Sequence, residues 1–199
     1  MTQTAYLVDD DEAIRDALSW LLQSRGVACI TYASAEDFLA AWTPSLAGCI
    51  LLDIRMDGMS GPELFSVLRE RGSILPVIFL TGHGDVPMAV TALKNGAFDF
   101  VEKPCNDNEL VDRVIEALRL DENQRAAASS ADSVNARLAK LTTRERQVME
   151  LVLAGKLNKV IADELQVSMR TVEVHRSNLL DKMGIRTAVE LAQLLSAKR

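Results

Sequence analysis

Short apolar runs alternate with longer amphipathic stretches over the first 120 residues. The apolar runs are TAYLV (4–8), GVACITY (26–32), GCILL (48–52), LPVIFL (75–80) and FDFV (98–101). The stretches between them have helical periodicity; the first places Ile14, Leu18 and Leu22 on one face. Continuous apolar strands that alternate with helices predict a parallel sheet covered on both faces. We therefore expect a doubly wound α/β domain with five parallel strands over residues 1–120.

The pattern changes after residue 140, where helical stretches follow one another without a strand-like run. Thr142 precedes Glu145 by three residues, a capping box that predicts a helix start. Two further stretches, NKVIADEL and MRTVEVHRSNLLDKMG, are separated by a tight turn at 166–167. Two short helices around such a turn predict a helix-turn-helix, whose second helix enters the major groove of DNA. We expect a small all-α domain over residues 140–199.

Residues 121–139 join the two predicted domains. No large apolar residue lies between Leu120 and Val134, and the segment is rich in alanine. This composition permits a helix but offers it nothing to pack against. We predict that the last helix of the first domain extends into a semi-rigid linker.

Charge divides the chain at the same place. The 199 residues carry a net charge of −6, with −9 on residues 1–120 and +3 on residues 141–199. An acidic part followed by a mildly basic one indicates two domains with different partners. The basic excess is too small to establish nucleic-acid binding by itself.

Composition also bears on the compartment. No apolar run approaches the ~20 residues that a membrane span requires, and the first residues, MTQTAYLVDD, form no basic n-region of the kind that opens a signal peptide. Cys29, Cys49 and Cys105 form no C-x-x-C pair, so we interpret them as reduced thiols of a cytoplasmic protein without a membrane partner.

Polar side chains follow four of the five predicted strands. Asp9 and Asp10 follow the first strand, Asp53 the third, Thr81 the fourth and Lys103 the fifth. One such acid is readily explained as a cap, but four strand ends with this chemistry indicate a site outside the carboxyl ends of the sheet.

Clustered carboxylates suit Mg²⁺ (or Mn²⁺), because a hard divalent cation offsets their mutual repulsion. Thr81 and Lys103 would hold an anion beside Asp53. The pattern therefore predicts phosphoryl transfer with Asp53 as the nucleophile.

The segments VDDD (8–11), LLDIRMDGMSG (51–61), TGHGDVPMAV (81–90) and VEKP (101–104) resemble the receiver domain of two-component response regulators of the FixJ kind. The resemblance covers residues 1–120. It implies that Asp53 is the phosphoacceptor and that Thr81 and Lys103 contact the phosphoryl oxygens. It also implies a metal site formed by Asp53, by Asp10 directly, by Asp9 through water, and by the backbone carbonyl of Arg55.

The same resemblance implies a switch at some distance from the acids. Phe100 would be the aromatic side chain that rotates on phosphorylation, and the Lys103–Pro104 bond would be cis. A surface that includes Val90 and Lys94 would pair two receivers. His83 is interpreted as a loop residue that reorients with the switch.

Two residues depart from the family pattern. Asp57 stands where such loops usually carry proline, which frees the loop and adds a negative charge near Asp53. This predicts slower phosphorylation or altered loop dynamics, with neutral drift as the alternative. Cys105 replaces the usual phenylalanine, which predicts looser packing of the last receiver helix.

The third helix of the second domain has a polar outer face. A helical wheel directs Val172, Leu179 and Met183 to the core. It directs outward the set Arg170, Val174, Ser177 and Asn178, with Thr171 and Glu173 flanking. Arginine can read guanine, valine the thymine methyl group and asparagine adenine. Lys159 and Arg176 are expected to meet phosphates. A four-helix protein-binding module remains an alternative.

The second half of the chain resembles the LuxR-type helix-turn-helix of the FixJ/NarL family over residues 140–197, through LTTRERQVMELVLAG, NKVIADEL and MRTVEVHRSNLLDKMGIRT. The resemblance implies that the fourth helix helps to pair two DNA-binding domains. Many relatives carry a basic residue in place of Glu173, an acid that can accept a hydrogen bond from cytosine.

Together these features predict a DNA-binding response regulator, a transcriptional activator and not an enzyme. A sensor histidine kinase would phosphorylate Asp53, and the resulting homodimer would bind palindromic or repeated promoter sites and act with RNA polymerase. One alternative is a phosphorylation-independent regulator with a degenerate or purely dimerising receiver. The other is a phosphatase or phosphotransfer enzyme, disfavoured because position 55 is arginine rather than a second carboxylate.

Overall fold

The computed structural model describes residues 4–82 and 86–196, so His83 lies outside the described residues. The chain forms two compact units, Met1–Arg125 and Ala126–Arg199, and each is described by itself.

The first unit is built around a parallel sheet. Its strands are β1 (Thr4–Val8), β2 (Ala28–Tyr32), β3 (Cys49–Asp53), β4 (Val77–Thr81) and β5 (Asp99–Glu102), in the spatial order β2-β1-β3-β4-β5. All four strand pairs are parallel. The predicted doubly wound five-stranded fold is therefore confirmed.

Helices cover both faces of this sheet. They are α1 (Glu12–Ser24), α2 (Ala35–Ala41), α3 (Gly61–Glu70), α4 (Val86–Lys94) and α5 (Asp107–Ala139). Strand β3 is buried along its whole length; its odd-numbered apolar residues join the core under α1 and α5, and its even-numbered ones join the core under α2, α3 and α4. Successive side chains of a strand point to opposite faces of the sheet, and both faces are buried here, so every position of β3 is apolar up to Asp53.

The second unit contains α6 (Thr143–Leu153), α7 (Asn158–Leu165), α8 (Met169–Met183) and α9 (Ala188–Ser196). The capping box at Thr142 is present, and Gln166 adopts a left-handed conformation in the turn between α7 and α8. Val172, Leu179 and Met183 are buried, as predicted. In α9 the buried residue is Leu191, which the sequence pattern did not single out.

The segment 121–139 is better packed than its composition indicates. Helix α5 runs through it without a break to Ala139. In the first unit, Asp121 is buried and accepts hydrogen bonds from the backbone N–H of Gly48 (2.9 Å) and from Arg125 (2.8 Å). In the second unit, Val134 is buried in the helical core. The prediction that nothing packs against this segment was therefore wrong at both of its ends.

Among the described residues, no helix combines the length and the apolar character that a membrane span requires.

Candidate functional site

Three carboxylates meet at the carboxyl ends of β1 and β3. The two strands pair in parallel with Val8 opposite Leu52, so that Asp9 and Asp53 emerge side by side. Oxygen atoms of Asp9, Asp10 and Asp53 lie within 4.8 Å of one another. Asp9 and Asp53 are buried, whereas Asp10 is exposed.

The three consecutive acids Asp9, Asp10 and Asp11 have two different roles, one in the acid cluster and one at the start of α1. Asp11 is the N-cap of α1, and its carboxylate accepts hydrogen bonds from the backbone N–H groups of Ala13 and Ile14. The Asp11 N–H in turn donates to Asp9 at 3.0 Å. Capping occupies the third acid, which leaves the first two for the cluster.

Lys103 joins two of the carboxylates. Its ammonium lies 2.7 Å from Asp9 Oδ2 and 2.6 Å from Asp53 Oδ1. Burial of the ammonium favours loss of its proton, but the hydrogen bonds and charges of the two carboxylates more than offset this and raise the pKa of Lys103. The lysine is therefore a fixed cation at the end of β5. The peptide bond between Lys103 and Pro104 is cis, as the resemblance implied.

Burial makes the Asp53 carboxyl a weaker acid, that is, it raises its pKa. Desolvation raises the pKa of its carboxyl above the usual value, and the nearby charge of Asp9 acts in the same direction. Hydrogen bonds from Lys103 and from the Arg55 backbone N–H (3.1 Å) lower it only in part. Additional positive charge beside this carboxylate would stabilise its ionised form.

Thr81 ends β4 next to Asp53, because Asp53 pairs with Leu80 in the sheet. Its side chain is fully buried, and within the described residues its hydroxyl has no hydrogen-bond partner. A buried hydroxyl without a partner costs free energy in the isolated protein. The arrangement suits an anion that would accept a hydrogen bond from it.

The donor set fits a hard divalent cation. Carboxylate oxygens are the ligands that Mg²⁺ and Mn²⁺ prefer, and three carboxylates with one ammonium leave a net charge of −2 at this site. The described residues thus contain an acidic cluster able to hold one metal ion.

Two side chains around the acids were not predicted from the sequence. The guanidinium of Arg15 in α1 donates to the backbone carbonyl of Asp9 at 2.7 Å. Glu36 in α2 accepts a hydrogen bond from the backbone N–H of Met59 at 2.9 Å and so holds the loop after β3. Neither residue belongs to a motif. Arg15 is only six residues from Asp9, but its contact depends on how α1 packs beside the strand end, and Glu36 is 23 residues from Met59; a single sequence shows neither contact.

The predicted switch residues lie on α4 and β5. Phe100 is half-buried and packs against the core on the α4 side of the sheet. Val90 is 40% exposed, and Lys94 is exposed at the end of α4. An apolar and a basic side chain are thus both accessible on this helix.

In the second unit, α8 presents the outer face that the helical wheel predicted. The exposed residues on α8 include Arg170, Glu173, Val174, Ser177 and Asn178. Val174 is 52% exposed although it is apolar. A valine between polar and charged side chains suits contact with base edges in a groove.

The remaining candidate DNA contacts occupy less open positions. Thr171 is half-buried beside the N-cap Ser168, whose hydroxyl lies 2.8 Å from its own. Arg176 is half-buried and donates to the Asn158 side chain at 2.7 Å, which connects α8 with the start of α7. Lys159, next to Asn158, is exposed.

Comparisons with known proteins agree with both units. Residues 5–115 match the response regulator receiver domain family, and residues 139–195 match the family of bacterial regulatory proteins of the luxR type. Among curated proteins, the C4-dicarboxylate transport transcriptional regulatory protein DctR of Rhodobacter capsulatus is 52% identical over 98% of this chain and 100% of its own length. The transcriptional regulatory protein FixJ of Bradyrhizobium diazoefficiens is 43% identical over 95% of this chain and 92% of its own.

Solved structures give the same result. The response regulator StyR superposes with a TM-score of 0.92 at 39% identity, over 98% of this chain and 99% of the other. Full-length FixJ from B. japonicum is 42% identical, with a TM-score of 0.63 over 100% and 98% of the two chains. The chain therefore belongs to the family of two-component response regulators, DNA-binding transcriptional regulators that join a receiver domain to a LuxR-type helix-turn-helix.

Proposed function

We propose that a sensor histidine kinase switches this regulator by phosphorylating Asp53. The observation that carries the proposal is the arrangement around Asp53. The Lys103 ammonium lies 2.6 Å from Asp53 and also contacts Asp9, and the buried hydroxyl of Thr81 on the neighbouring strand has no hydrogen-bond partner among the described residues. This set offers a nucleophile together with donors for an anion, which phosphoryl transfer requires.

In the transfer, a carboxylate oxygen of Asp53 attacks the phosphorus of a phosphohistidine. The new O–P bond forms as the N–P bond breaks, and the leaving imidazole keeps the electron pair. Lys103 and Thr81 would donate hydrogen bonds to the phosphoryl oxygens. Mg²⁺ or Mn²⁺ held by Asp9, Asp10, Asp53 and the Arg55 carbonyl would neutralise part of the oxygen charge.

Phosphorylation of Asp53 adds charge and acceptor oxygens beside Thr81 and Lys103. Movement of Thr81 and Lys103 toward these oxygens, followed by Phe100, would alter the surface that carries Val90 and Lys94. We expect two receivers to pair there and to bring two copies of α8 onto palindromic or repeated promoter half-sites. The regulator would then act with RNA polymerase as an activator, in the cytoplasm where the promoter lies.

Sedimentation of the full-length protein with Mg²⁺, with and without beryllofluoride as a mimic of the phosphoryl group, tests this proposal. DNA binding is followed in the same samples by fluorescence anisotropy. We expect the mimic to convert monomer to dimer and to raise DNA affinity about tenfold or more, because dimerisation joins two half-site contacts. The matched control is Asp53→Asn, which keeps the shape of the side chain and should show neither effect.

Competent DNA binding that is unchanged by the mimic, and equal in Asp53→Asn, would contradict the proposal. It would favour the alternative of a phosphorylation-independent regulator.

A further inference from the structure

The oxygens of the acid cluster are not equally free. Asp9 accepts hydrogen bonds on Oδ1 from the backbone of Asp11 and on Oδ2 from Lys103. Asp53 likewise accepts on Oδ1 from Lys103 and on Oδ2 from the Arg55 backbone. Both oxygens of these two carboxylates therefore already have a donor.

Asp10 is different. Its Oδ2 accepts a hydrogen bond from the backbone N–H of Asp57 at 3.0 Å, while no donor to its Oδ1 occurs among the described residues. Asp10 and Asp57 are separated by 47 positions in the chain, and both are exposed. An exposed carboxylate samples several rotamers unless a partner fixes it. The Asp57 N–H holds one oxygen of Asp10, and the other oxygen has no donor among the described residues and is available to a metal ion.

This donor depends on the identity of residue 57 in one respect. Every residue except proline supplies a backbone N–H, and the family pattern usually has proline at this place. The hydrogen bond also connects Asp10 to the loop that carries Arg55, so that two groups expected to meet the same cation are held together. Hydrogen-bond partners behind a metal-ligating carboxylate typically change metal affinity by about 10- to 100-fold.

We propose that the backbone N–H of Asp57 is a positioning group for the divalent cation, one that orients the Asp10 carboxylate for metal binding, and that its carboxylate side chain is dispensable for this role. The proposal rests on the metal site of the proposed function. It deepens that function by assigning a role to a residue at which this chain departs from its family.

Calorimetric titration of the full-length protein with Mg²⁺ tests the proposal, with Mn²⁺ followed by electron paramagnetic resonance as a second probe. Asp57→Pro removes the N–H, whereas Asp57→Ala and Asp57→Asn keep it; the alanine variant removes the carboxylate group and the asparagine variant only its charge. We expect Asp57→Pro to bind the metal about tenfold more weakly. Asp57→Ala and Asp57→Asn should stay within about twofold of the wild type, because an exposed charge is screened by solvent and salt.

Equal affinities for the proline and alanine variants would overturn the inference while leaving the metal site itself intact. A wild-type protein that binds neither cation would overturn the proposed metal site and the inference with it. Thermal melting of each variant establishes that it is folded.

The backbone amide of Asp57 gives a second measurement that does not require the proline variant to fold. In the wild type its amide proton should resonate downfield and be protected from exchange. Asp10→Ala removes the acceptor and should abolish both properties, whereas Asp10→Asn keeps an acceptor oxygen and should retain them in part. An amide proton that is indifferent to Asp10→Ala would contradict the hydrogen bond on which the inference depends.

Discussion

At the scale of single residues, the surroundings of Asp53 are fixed by backbone as much as by charge. Gly61 begins α3, and a Cβ atom placed there would lie 2.1 Å from the carbonyl oxygen of Asp53. Its N–H donates to the backbone carbonyl of Ile54 at 3.1 Å. The chain after β3 therefore turns back tightly against the strand end, and glycine is required because no side chain fits there.

Gly61→Ala should displace Asp53. We expect the first unit to lose about 2–3 kcal/mol of unfolding free energy, because the clash is with backbone that cannot rotate away. The affinity for beryllofluoride should fall as well, since Asp53 moves relative to Lys103. Denaturant unfolding and a beryllofluoride titration measure the two effects.

The matched control is Gly72→Ala. Gly72 has φ +78°, but a Cβ atom placed there would meet no heavy atom within 4 Å. The substitution should cost about 1 kcal/mol through backbone strain alone and leave beryllofluoride binding unchanged. An equal effect on binding from both variants would show that the close approach at Gly61 does not position Asp53.

At the scale of elements, helix α6 is held at its start by a buried carboxylate. Glu145 accepts hydrogen bonds from the Thr142 backbone N–H (2.7 Å) and from Lys182 of α8 (2.7 Å). Glu145 is only 2% exposed to solvent. One side chain thus completes the cap of α6 and fixes α8 against it, and α8 is the helix with the predicted DNA-contacting face.

This carboxylate makes stability depend on pH. Burial raises the pKa of Glu145, but the Lys182 ammonium and the Thr142 hydrogen bonds more than offset it, so the folded-state pKa lies below the usual value. The unfolded state therefore binds a proton first as the pH falls, and the contribution present at neutral pH is lost as the pH drops through the folded-state pKa. Glu145→Gln should destabilise the second unit by about 2 kcal/mol at pH 7, and the difference should vanish in acid.

Urea unfolding at a series of pH values measures this effect. The control is Glu164→Gln, which removes an exposed ion pair with Lys156 and should cost no more than about 0.5 kcal/mol. A destabilisation by Glu145→Gln that is constant across the pH range would contradict the assigned role of the charge.

The exposed face of α8 gives a second prediction at this scale. Arg170→Ala should weaken binding to a selected DNA site by about 1–3 kcal/mol and relax the preference at one base pair, whereas Lys159→Ala should weaken all sequences alike and reduce the salt dependence. Competitive binding to a library of half-site variants separates the two. Arg119→Ala, an exposed arginine of the receiver, controls for net charge; an equal loss in all three variants would argue against base contact by Arg170.

At the scale of the whole molecule, the two units carry separate chemistry. The acid cluster lies entirely in the first unit and the exposed face of α8 in the second. A ligand that binds the native acid cluster and not the unfolded chain stabilises the unit that contains it.

Mg²⁺ at about ten times its dissociation constant should stabilise the first unit by about 1.4 kcal/mol. Hydrogen exchange should slow in the core strands β1, β3 and β4 and stay unchanged in α6 to α9. Asp10→Ala should remove the effect, and Asp163→Ala, an exposed acid of the second unit, should not. Slower exchange in α6 to α9 that persists in Asp10→Ala would place a cation site outside the receiver.

Local patterns in the sequence were sufficient to predict the strands and helices and the presence of an acidic site at the carboxyl ends of the strands. Burial on both faces made each strand of the sheet a continuous apolar run, and a parallel sheet brings the carboxyl ends of its strands together. Asp9, Asp53, Thr81 and Lys103 could therefore be assigned to one place from the sequence alone. The caps at Asp11 and Thr142 and the buried face of α8 follow equally from short-range spacing.

Tertiary structure decided which of these groups are in contact and which are free. It buried Asp9, left Asp10 exposed, and left the Thr81 hydroxyl without a hydrogen-bond partner among the described residues. It also brought the Asp57 N–H to Asp10 and the Glu36 carboxylate to the backbone of Met59. It also packed Asp121 and Val134 of a segment that looks like a bare linker. These contacts join residues far apart in the chain through loops, whose paths depend on the packing of the elements that they connect and not on local periodicity.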